Sequence, residues 1–525
     1  MSSSPKLERI YAAKDYLDGK QYTTQVCIIG SGCGGATLAK RLTDFGIDVI
    51  VLEQGGHYPA SKMDQRELNM AGKLYAERGF SAASDNSTVL LSGNNIGGAS
   101  VHYWADSYRT PLDKLQSWEQ DYGMKGHTLS DLTPAFDAIE KSLNIHPATD
   151  NNFNAVNQKL QAATESLNWH GHRVPQARKN CVGSGHCMQG CLYDAKQSQM
   201  VTHIPTAIKQ GARIFSDAKA GKLIRSGSTI KQVEVEIMDQ ARNQPSGKRI
   251  KINADIVVVA AGGFNSSFYL QQQGFKKQLP ALGKYFSMNP SSMVHSLFEE
   301  DMIQWRNIPA AWGIEEFRQR RFEGQHYKEG GYLLMPNQLQ PALLAAVIPG
   351  LGKQHQKWME NLPKLAGTIA WIDDVESELG EIRLKSNGRR EVYYPYGALT
   401  KKILKDSIEK QIILSFEAGA KKVLIAGAQG IELSSLNELN KLDDLQITAS
   451  GLFLGAPHPG GGCRMGEDQR NSVVNFKHQV HGWHNLFVAD SSVFPSSSSL
   501  DPSLSIMAFS YIAAEHIRGT LGKQD

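Results

Sequence analysis

Residues 25–53 read QVCIIGSGCGGATLAKRLTDFGIDVIVLE and predict a strand, a glycine turn, a helix and a second strand, in that order. The apolar beginning is typical of a buried parallel strand, and the residues after the glycines have helical spacing. In such a turn Gly30 bends the chain, Gly32 lets the backbone approach a pyrophosphate, and Gly35 lets the helix pack on the strand. We therefore predict a dinucleotide site at the N-terminus of this helix.

Further residues extend this predicted site. Glu53 ends the second strand, where its carboxylate can accept hydrogen bonds from ribose hydroxyls. A second glycine turn at 95–104 suits close backbone approach to a flat ring or a phosphate. The position near the N-terminus of a long chain favours FAD over NAD, because a bound flavin needs later segments to enclose its far end. A glycine-rich loop in an unrelated α/β fold is the alternative. The cofactor-binding residues predicted from the two turns are Gly30, Ser31, Gly32, Gly35, Glu53, Gly97, Gly98 and Ser100.

Two later segments resemble strands of the same sheet. The apolar run 254–263 ends in glycines, and the strand-like stretch 230–237 before it predicts a small antiparallel insertion that returns to the central sheet. Residues 485–490 form another buried strand that ends on an acid. We expect Asp490 to bond a ribityl hydroxyl or a water beside the pyrophosphate.

The run 458–466, HPGGGCRMG, places the imidazole of His458 on a rigid loop between a proline and glycines. Asp501 and Pro502 follow near the C-terminus and can complete a pair of polar side chains around a bound group. The N-terminus of the predicted helix 504–517 would stabilise negative charge on a reduced flavin. In the alternative interpretation, Asp501 is a simple N-cap of that helix.

The composition is ordinary for a soluble globular protein, and the length predicts two intimately joined domains. The chain has 525 residues, more than the roughly 250–300 at which single cores stop growing. The net charge of +4 comes from scattered residues, so nucleic acid is not an expected partner. No apolar export segment or membrane span is predicted, and a reducing cytoplasm is the simplest compartment. The apolar stretch 341–350 is too short to span a membrane and predicts a buried or substrate-lining helix. Alternatively it rests on a membrane, which would make the protein peripheral to the inner membrane.

The cysteines at 181, 187 and 191 lie within eleven residues of one glycine-rich loop. We interpret Cys181, Cys187 and Cys191 as small thiols in a compact loop beside the active site. An iron–sulfur cluster is the first alternative, although the spacing departs from the common ferredoxin pattern. Zinc with His186 as fourth ligand is the second alternative, and neighbouring ligands at 186 and 187 disfavour it. The site prediction therefore contains no metal.

Residues 290–450 carry no cofactor signal and alternate between strand-like and helical stretches, as expected of a substrate domain. The acidic run 373–381 ends at a turn and predicts a solvated hairpin tip.

Together these motifs resemble the glucose–methanol–choline (GMC) family of flavin oxidoreductases. The resemblance covers most of residues 22–110, 177–275 and 450–520, including the glycine turns, the HPGGGCRMG run and the segment around Asp501. It implies an α/β fold in which a Rossmann-type FAD-binding domain is interleaved with a substrate domain built on a large antiparallel sheet. The expected FAD-binding segments are 20–110, 200–275 and 450–520. The expected substrate-domain segments are 111–199, with the cysteine loop 181–191, and 276–449.

The resemblance also implies site chemistry. His458 would take the hydroxyl proton of an alcohol as hydride leaves for flavin N5, which suits an imidazole with an ordinary pKa of about 6.5. His102 would attach the flavin covalently, as in some relatives, or pack near its dimethylbenzene edge. The cysteine loop is more similar to that of long-chain alcohol or sterol oxidases than to that of sugar dehydrogenase subunits with an iron–sulfur cluster. Asp501 departs from the family, which usually has Asn or His there. It would pair with His458 or be held protonated as a donor.

The favoured hypothesis is therefore FAD-dependent oxidation of a bulky or apolar alcohol, with oxygen or another electron acceptor and with His458 and Asp501 as catalytic residues. A sugar dehydrogenase is one alternative. A lyase or decarboxylase with a non-redox flavin is another, because Asp501 departs from the family. A non-catalytic electron-transfer or scaffold subunit is the third.

Overall fold

A computed structural model describes residues 10–448 and 451–522. The strands are β1 (Gln21–Ile29), β2 (Val49–Leu52), β3 (Thr88–Leu90), β4 (Ile145–Pro147), β5 (Gly171–Arg173), β6 (Pro175–Ala177), β7 (Arg213–Phe215), β8 (Ala218–Ser226), β9 (Thr229–Asp239), β10 (Gln244–Val259), β11 (Lys284–Phe286), β12 (Ser291–Leu297), β13 (Trp312–Ile314), β14 (Arg321–Glu323), β15 (His326–Glu329), β16 (Tyr332–Pro336), β17 (Leu365–Ile372), β18 (Gly380–Leu384), β19 (Arg390–Tyr393), β20 (Lys422–Ile425), β21 (Glu432–Leu433), β22 (Leu454–Ala456) and β23 (Leu486–Val488). The helices are α1 (Cys33–Asp44), α2 (Glu67–Leu74), α3 (Leu112–Tyr122), α4 (Leu129–Ser142), α5 (Ala155–Ser166), α6 (His203–Lys209), α7 (Asn265–Gln272), α8 (Pro341–Val347), α9 (Lys353–Met359), α10 (Ala398–Glu417) and α11 (Ser503–Leu521).

The first sheet carries the predicted dinucleotide fold. Its order is β7-β2-β1-β10-β9-β8, and β23 pairs with the end of β10. β1 runs parallel to β2 and β10, and β23 is also parallel to β10. The first half of β10 is antiparallel to β9, which pairs with β8. This is the predicted antiparallel insertion returning to a parallel core, because β10 is long enough to belong to both parts.

The second sheet is large and antiparallel. Its order is β21-β20-β12-β17-β16-β13-β5, with β22 beside β12 and β3 beside β22. Helix α10 packs on one face, where Thr368 of β17 donates a hydrogen bond to Gln411 at 3.0 Å. The predicted α/β class, with a Rossmann-type part and a large antiparallel sheet, is confirmed. In the described ranges 10–448 and 451–522, no helix is both long and apolar enough to cross a membrane.

The chain crosses between the two sheets more often than the sequence indicates. β3 and β22 lie within the ranges 20–110 and 450–520 that we assigned to FAD binding, yet both pair in the second sheet. These short strands follow or precede cofactor motifs, so the motifs alone do not reveal that they leave the first sheet.

Glycines set the contact between β1, α1 and β10. Gly30 has φ +109°, and a Cβ placed there would lie 2.2 Å from the carbonyl oxygen of Ala260. A Cβ on Gly35 would lie 2.0 Å from the carbonyl oxygen of Gly30. Both obstacles are backbone atoms of the central sheet, which cannot move aside without breaking the strand pairing.

We expect Gly35→Ala to destabilise the protein by at least about 1–3 kcal/mol, because the added methyl group overlaps backbone. Gly72→Ala is the matched control. Gly72 lies on the exposed side of α2, a Cβ there meets nothing within 4 Å, and alanine should stabilise that helix by about 0.5–1 kcal/mol. Urea denaturation measures the free energy of unfolding of both variants. Equal stability of wild type and Gly35→Ala would contradict the packing described.

Candidate active site

A cavity of about 500 Å³ lies at the carboxyl ends of β1, β2, β10 and β23, with residues that follow β3 and β22 on its other side. Ligands of open α/β sheets bind at this edge. Of the residues predicted for the site, those that line the cavity are Gly30, Ser31, Gly32, Glu53, Gly98, His458, Asp490 and Pro502.

The remaining predicted residues lie behind the cavity wall. Gly35 packs against Gly30, as described above. Gly97 has φ +95°, and its N–H donates a hydrogen bond to the Ser31 hydroxyl at 3.1 Å. The Ser100 hydroxyl donates to the Gly97 carbonyl at 2.7 Å. These residues therefore shape the second glycine turn.

The N-terminus of α1 opens into the cavity. Its N-cap is Gly32, and no side chain caps the first turn. A Cβ on Gly32 would lie 3.9 Å from its nearest neighbour, Gly98, so the space in front of the turn is free. Unpaired N–H groups and the helix dipole favour an anion at such a place. A pyrophosphate fits there.

Glu53 stands at the other end of the cavity wall. Its Oε2 accepts hydrogen bonds from the Ser31 N–H at 3.1 Å and from the Ser31 hydroxyl at 2.7 Å, and its Oε1 accepts from the Gly55 N–H at 2.9 Å. Burial raises the pKa of this carboxyl, and the hydrogen bonds oppose the shift. Three donors fix its orientation, and the remaining lone pairs suit ribose hydroxyls.

Asp490 joins the ends of β10 and β23. Its Oδ2 accepts hydrogen bonds from the Gly262 N–H at 2.8 Å and from the Ser266 hydroxyl. Its Oδ1 accepts from the N–H of Ser492 at 2.9 Å and from the hydroxyl of the same residue. Four donors from the protein thus hold the carboxylate in the cavity wall. Its predicted bond to a ribityl hydroxyl stays a prediction.

His458 is the central side chain at the opposite end of the cavity. Its Nδ1 lies 2.7 Å from Oδ1 of Asn289, and its Nε2 lies 3.0 Å from Oδ1 of Asp501. The ring also packs on Trp371, with 5.1 Å between centroids. The structure therefore brings the two predicted catalytic residues together and adds Asn289, which the sequence did not predict.

Asn289 determines which ring nitrogen of His458 carries the proton. Its Nδ2 donates to the carbonyl of Ile372 at 2.6 Å, so its Oδ1 must face His458. An amide oxygen only accepts, so Nδ1 of the imidazole is the donor in that contact. Nε2 is left to exchange protons on the side of Asp501. This tautomer is assigned from the hydrogen-bond network.

Asp374 holds Asn289 in place from behind. Its Oδ2 accepts from the Asn289 N–H at 2.8 Å, and its Oδ1 accepts from the Met288 N–H at 2.9 Å and the Tyr394 hydroxyl at 2.6 Å. Burial raises the pKa of this carboxyl to about 6, although these hydrogen bonds oppose the shift. The solvated hairpin tip predicted for 373–381 is therefore wrong at its first residues. These residues directly follow a buried strand, and that position indicates burial. The acidic composition of the run instead suggests exposure.

Asp501 does not cap helix α11. No side chain caps the first turn, and the carboxylate instead turns to His458. Its Oδ2 is buried without a hydrogen-bond partner in the described part of the chain. A second carboxyl, that of Asp106, lies nearby, and its Oδ1 accepts from Gln176 at 2.6 Å. Burial and the charge of Asp501 raise the pKa of Asp106 well above its usual range.

His102 is buried beside the cavity and is not among its lining residues. Its ring stacks on Tyr75, with 3.9 Å between centroids. Burial, with a smaller effect of Lys196, lowers its pKa to about 3, so the imidazole is neutral near pH 7. Its Nε2 is buried and has no partner among the described residues.

Comparison with known families decides the identity of the fold. Models described as GMC oxidoreductase match residues 71–291 and 396–510, well over half of the chain. The chain belongs to the GMC oxidoreductase family. The FAD that this family binds is thus the dinucleotide whose pyrophosphate and ribose the cavity fits.

Relatives of this GMC oxidoreductase are similar over nearly its whole length. It is 28% identical to a GMC-type oxidoreductase of Mycobacterium tuberculosis, over 93% of this chain and 75% of that protein. It is 24% identical to the long-chain-alcohol oxidase FAO3 of Arabidopsis thaliana, over 95% of this chain and 68% of that protein. It is 22% identical to a cholesterol oxidase of Acinetobacter baumannii, over 94% and 95% of the two chains.

Solved structures share the fold of this GMC oxidoreductase. Pyridoxine 4-oxidase matches with a TM-score of 0.69 at 16% identity, covering 94% of this chain and 98% of the other. A formate oxidase matches with a TM-score of 0.70 at 14% identity, covering 97% of this chain and 100% of the other. At these identities the likeness establishes the architecture and leaves the substrate open.

The cysteine loop of this GMC oxidoreductase is organised around Arg178. Its Nη1 lies 3.5 Å from Sγ of Cys187 and 4.0 Å from Sγ of Cys181, while Sγ of Cys191 accepts from the Lys196 N–H at 3.4 Å. Within the described residues, no three His, Cys, Asp or Glu side chains are placed to hold a metal ion. The iron–sulfur and zinc alternatives therefore have no support, and a compact loop of thiols describes the segment.

The raised pKa of Asp374 predicts a pH-dependent stability. The folded protein binds this proton more tightly than the unfolded chain, so the contribution is present below about pH 4 and is lost as the pH rises through about 6. The unfolding free energy of wild type minus that of Asp374→Asn should therefore fall by about 2 kcal/mol between pH 4 and pH 6, and by about 3 kcal/mol in total once the pH is well above 6. Urea denaturation across this range measures it. A difference that does not change with pH would contradict the assignment.

Proposed function

We propose that the protein oxidises an apolar alcohol with FAD and that His458, paired with Asp501, accepts the hydroxyl proton. The observation that carries this proposal is the imidazole at the cavity wall, with Nδ1 tied to Asn289 and Nε2 3.0 Å from a carboxylate oxygen. An imidazole with one nitrogen committed and the other poised for exchange is suited to general base catalysis. FAD, when bound, supplies the two-electron acceptor for the carbinol hydrogen.

The contact between His458 and Asp501 contains one proton. Two bare acceptors 3.0 Å apart would repel each other, so either Nε2 donates to a carboxylate or a carboxylic acid donates to Nε2. In both arrangements the pair has no net charge. Because the charge of Asp501 is neutralised within the pair, this residue does not oppose reduction of an adjacent flavin.

The direction of proton transfer follows from this neutrality. When a substrate hydroxyl gives up its proton as its carbon–oxygen bond becomes a carbonyl, Nε2 of His458 takes that proton and the shared proton resides on Asp501 as a carboxylic acid, so the pair gains one positive charge. The side chains are only 13% and 9% exposed, so little solvent screens that charge. It offsets the negative charge that develops in the adjacent cavity, as does the N-terminus of α11. The electrons then pass to oxygen or to another acceptor.

Apolar residues around the pair favour an apolar alcohol over a sugar. Trp371 contacts His458, Trp104 lies 6.2 Å from Trp371 between ring centroids, and Leu500 is buried beside them. A sugar would leave many hydroxyls without partners there, which costs free energy. Relatives named long-chain-alcohol oxidase and cholesterol oxidase agree with this choice.

Anaerobic mixing with a panel of alcohols tests the proposal. We expect long-chain primary alcohols to bleach the flavin absorbance of the wild type. His458→Ala should keep its FAD and lower the rate constant of reduction about 10²–10⁴-fold, because the proton acceptor is gone.

His484→Ala is the control for that experiment. His484 is an exposed histidine that does not line the cavity, and its loss should leave reduction unchanged. If no alcohol bleaches the flavin, the proposal fails. Substrate turnover without bleaching would support the lyase alternative.

We also propose that FAD is held without a covalent bond. His102 is neutral and its Nε2 has no partner within residues 10–448 and 451–522, yet its ring lies against Tyr75 outside the cavity lining. Acid precipitation of the holoenzyme should therefore release all flavin absorbance into the supernatant. Flavin that stays with the precipitated wild type and is released from His102→Ala would contradict this and identify the attachment.

A further inference from the structure

One face of the second sheet is apolar and borders the pair formed by His458 and Asp501. Thr368 points to α10, and side chains alternate along a strand, so Ile369 and Trp371 point the other way. The buried apolar side chains that share this face are Met293, Leu333, Met335, Ile369, Trp371 and Leu424. The segment around α8 covers them with Leu344 and Val347. The predicted interpretation of 341–350 as a buried or substrate-lining helix agrees with this position.

Polar side chains interrupt the apolar face at the end away from His458. His295 pairs in register with Gly367 and Leu424, so it lies on the same face. The Asn337 N–H donates to the Gly367 carbonyl at 2.8 Å. Because Gly367 has no side chain, His295 and Asn337 approach each other across it. A Cβ there would lie 3.5 Å from an atom of each.

Three of the four polar side-chain atoms of this pair have no hydrogen-bond partner among the described residues, and the fourth, Nδ2 of Asn337, donates to Sδ of Met293 at 3.3 Å. Both ring nitrogens of His295 and Oδ1 of Asn337 are buried without a hydrogen bond in the described part of the chain. The two residues are 0% and 1% exposed. An unpaired buried polar group destabilises a fold, so such a cluster calls for a ligand or a functional reason. The stability of the sheet alone does not account for it.

The spacing of residues along β17 gives the distance between the cluster of His295 and Asn337 and the pair of His458 and Asp501. Trp371, which contacts His458, lies four residues from Gly367 along β17. At about 3.3 Å per residue, the two ends of the face are about 13 Å apart. An extended chain such as that of 1,10-decanediol spans this distance.

The charge state of His295 indicates which chemical group the cluster can bind. Burial alone lowers the pKa of His295 to about 4, so near pH 7 the ring is neutral, with one donor and one acceptor. Oδ1 of Asn337 adds an acceptor. A hydroxyl group has one proton to donate and can also accept, so it can accept from the N–H of His295 and donate to Oδ1 of Asn337. A carboxylate would bring an unpaired charge into an apolar region, which is unfavourable.

We propose that His295 and Asn337 form a distal subsite that binds a second hydroxyl of the substrate, about 13 Å from the oxidised one. The preferred substrates are therefore long-chain alcohols with hydroxyls at both ends. This inference rests on the proposed function. The chain would lie between the apolar face and its cover, which Glu67 anchors by accepting from the N–H groups of Ala342 and Leu343 at 2.7 and 2.9 Å.

Three probes of equal length test the subsite in the holoenzyme. They are 1,10-decanediol, 1-decanol and 10-hydroxydecanoate, compared by kred/Kd for anaerobic flavin reduction. The diol should exceed the mono-alcohol by about tenfold or more, beyond the factor of about two from its two reacting ends. The hydroxy acid should be the poorest. A diol advantage of only the statistical factor, or a preference for the acid, would overturn the subsite. If none of the probes reduces the flavin, the proposed function itself fails.

Variants test whether the preference for the diol depends on His295 and Asn337. His295→Leu and Asn337→Leu should each reduce the diol advantage towards the statistical factor. Ser296→Ala is the matched control, since Ser296 neighbours His295 on the opposite face and its hydroxyl is also buried without a partner. That variant should keep the wild-type preference. Loss of the preference in Ser296→Ala would assign it to general loosening of the strand and overturn the proposal.

Thermal unfolding of the holoenzyme without alcohol gives a readout independent of activity. Replacing an unpaired buried imidazole with leucine should raise the Tm, because the desolvation cost disappears. A higher Tm together with a lost diol preference is the signature of a binding group. A Tm that falls in both His295→Leu and Asn337→Leu would show that these side chains stabilise the sheet, and the subsite would be rejected.

Discussion

The imidazole of His458 joins the two halves of the molecule, and the arrangement of the site depends on that contact. Asn289, which stands just before β12 of the second sheet, binds Nδ1, and Asp501, which leads into α11, binds Nε2. The loop that carries the ring is itself tied to both sides. Gly460 exchanges hydrogen bonds of 2.9 Å with Ser287, and the Gly461 N–H donates to the Ser491 carbonyl at 3.0 Å. A shift between the halves would therefore misplace the base.

Buried carboxyl groups set the electrostatics around this imidazole. Asp374 holds the Asn289 backbone, Asp501 shares a proton with the ring, and Asp106 lies behind Asp501. Two ionised carboxylates as close as those of Asp106 and Asp501 would repel each other. Hydrogen bonds stabilise Asp374, the imidazole neutralises Asp501, and the raised pKa of Asp106 favours its protonated form. The site can thus contain several acids without accumulating negative charge beside the cofactor.

Local sequence was sufficient to predict the first sheet and to single out His458 and Asp501 as a pair. The glycine turn and the strands around it interact over short stretches, so their spacing defines the fold. His458 and Asp501 stand next to prolines in motifs that point to a bound group. No such motif surrounds Asn289, Asp374, His295 or Asn337. Their roles can be inferred only from the pairing of strands that are distant along the chain, such as the pairing that places His295 opposite Gly367. Similarly, β3 and β22 leave the first sheet through pairings that no local pattern marks.

Every proton transfer proposed for this site begins from the tautomer of His458. Nitrogen-15 NMR of histidine-labelled protein, with His458→Ala used to assign the signals, measures this tautomer directly. We expect Nδ1 of His458 to carry a proton at neutral pH, because it donates to Oδ1 of Asn289. An Nδ1 signal of a bare, unprotonated nitrogen at neutral pH would contradict the hydrogen bond to Asn289 and the mechanism built on it.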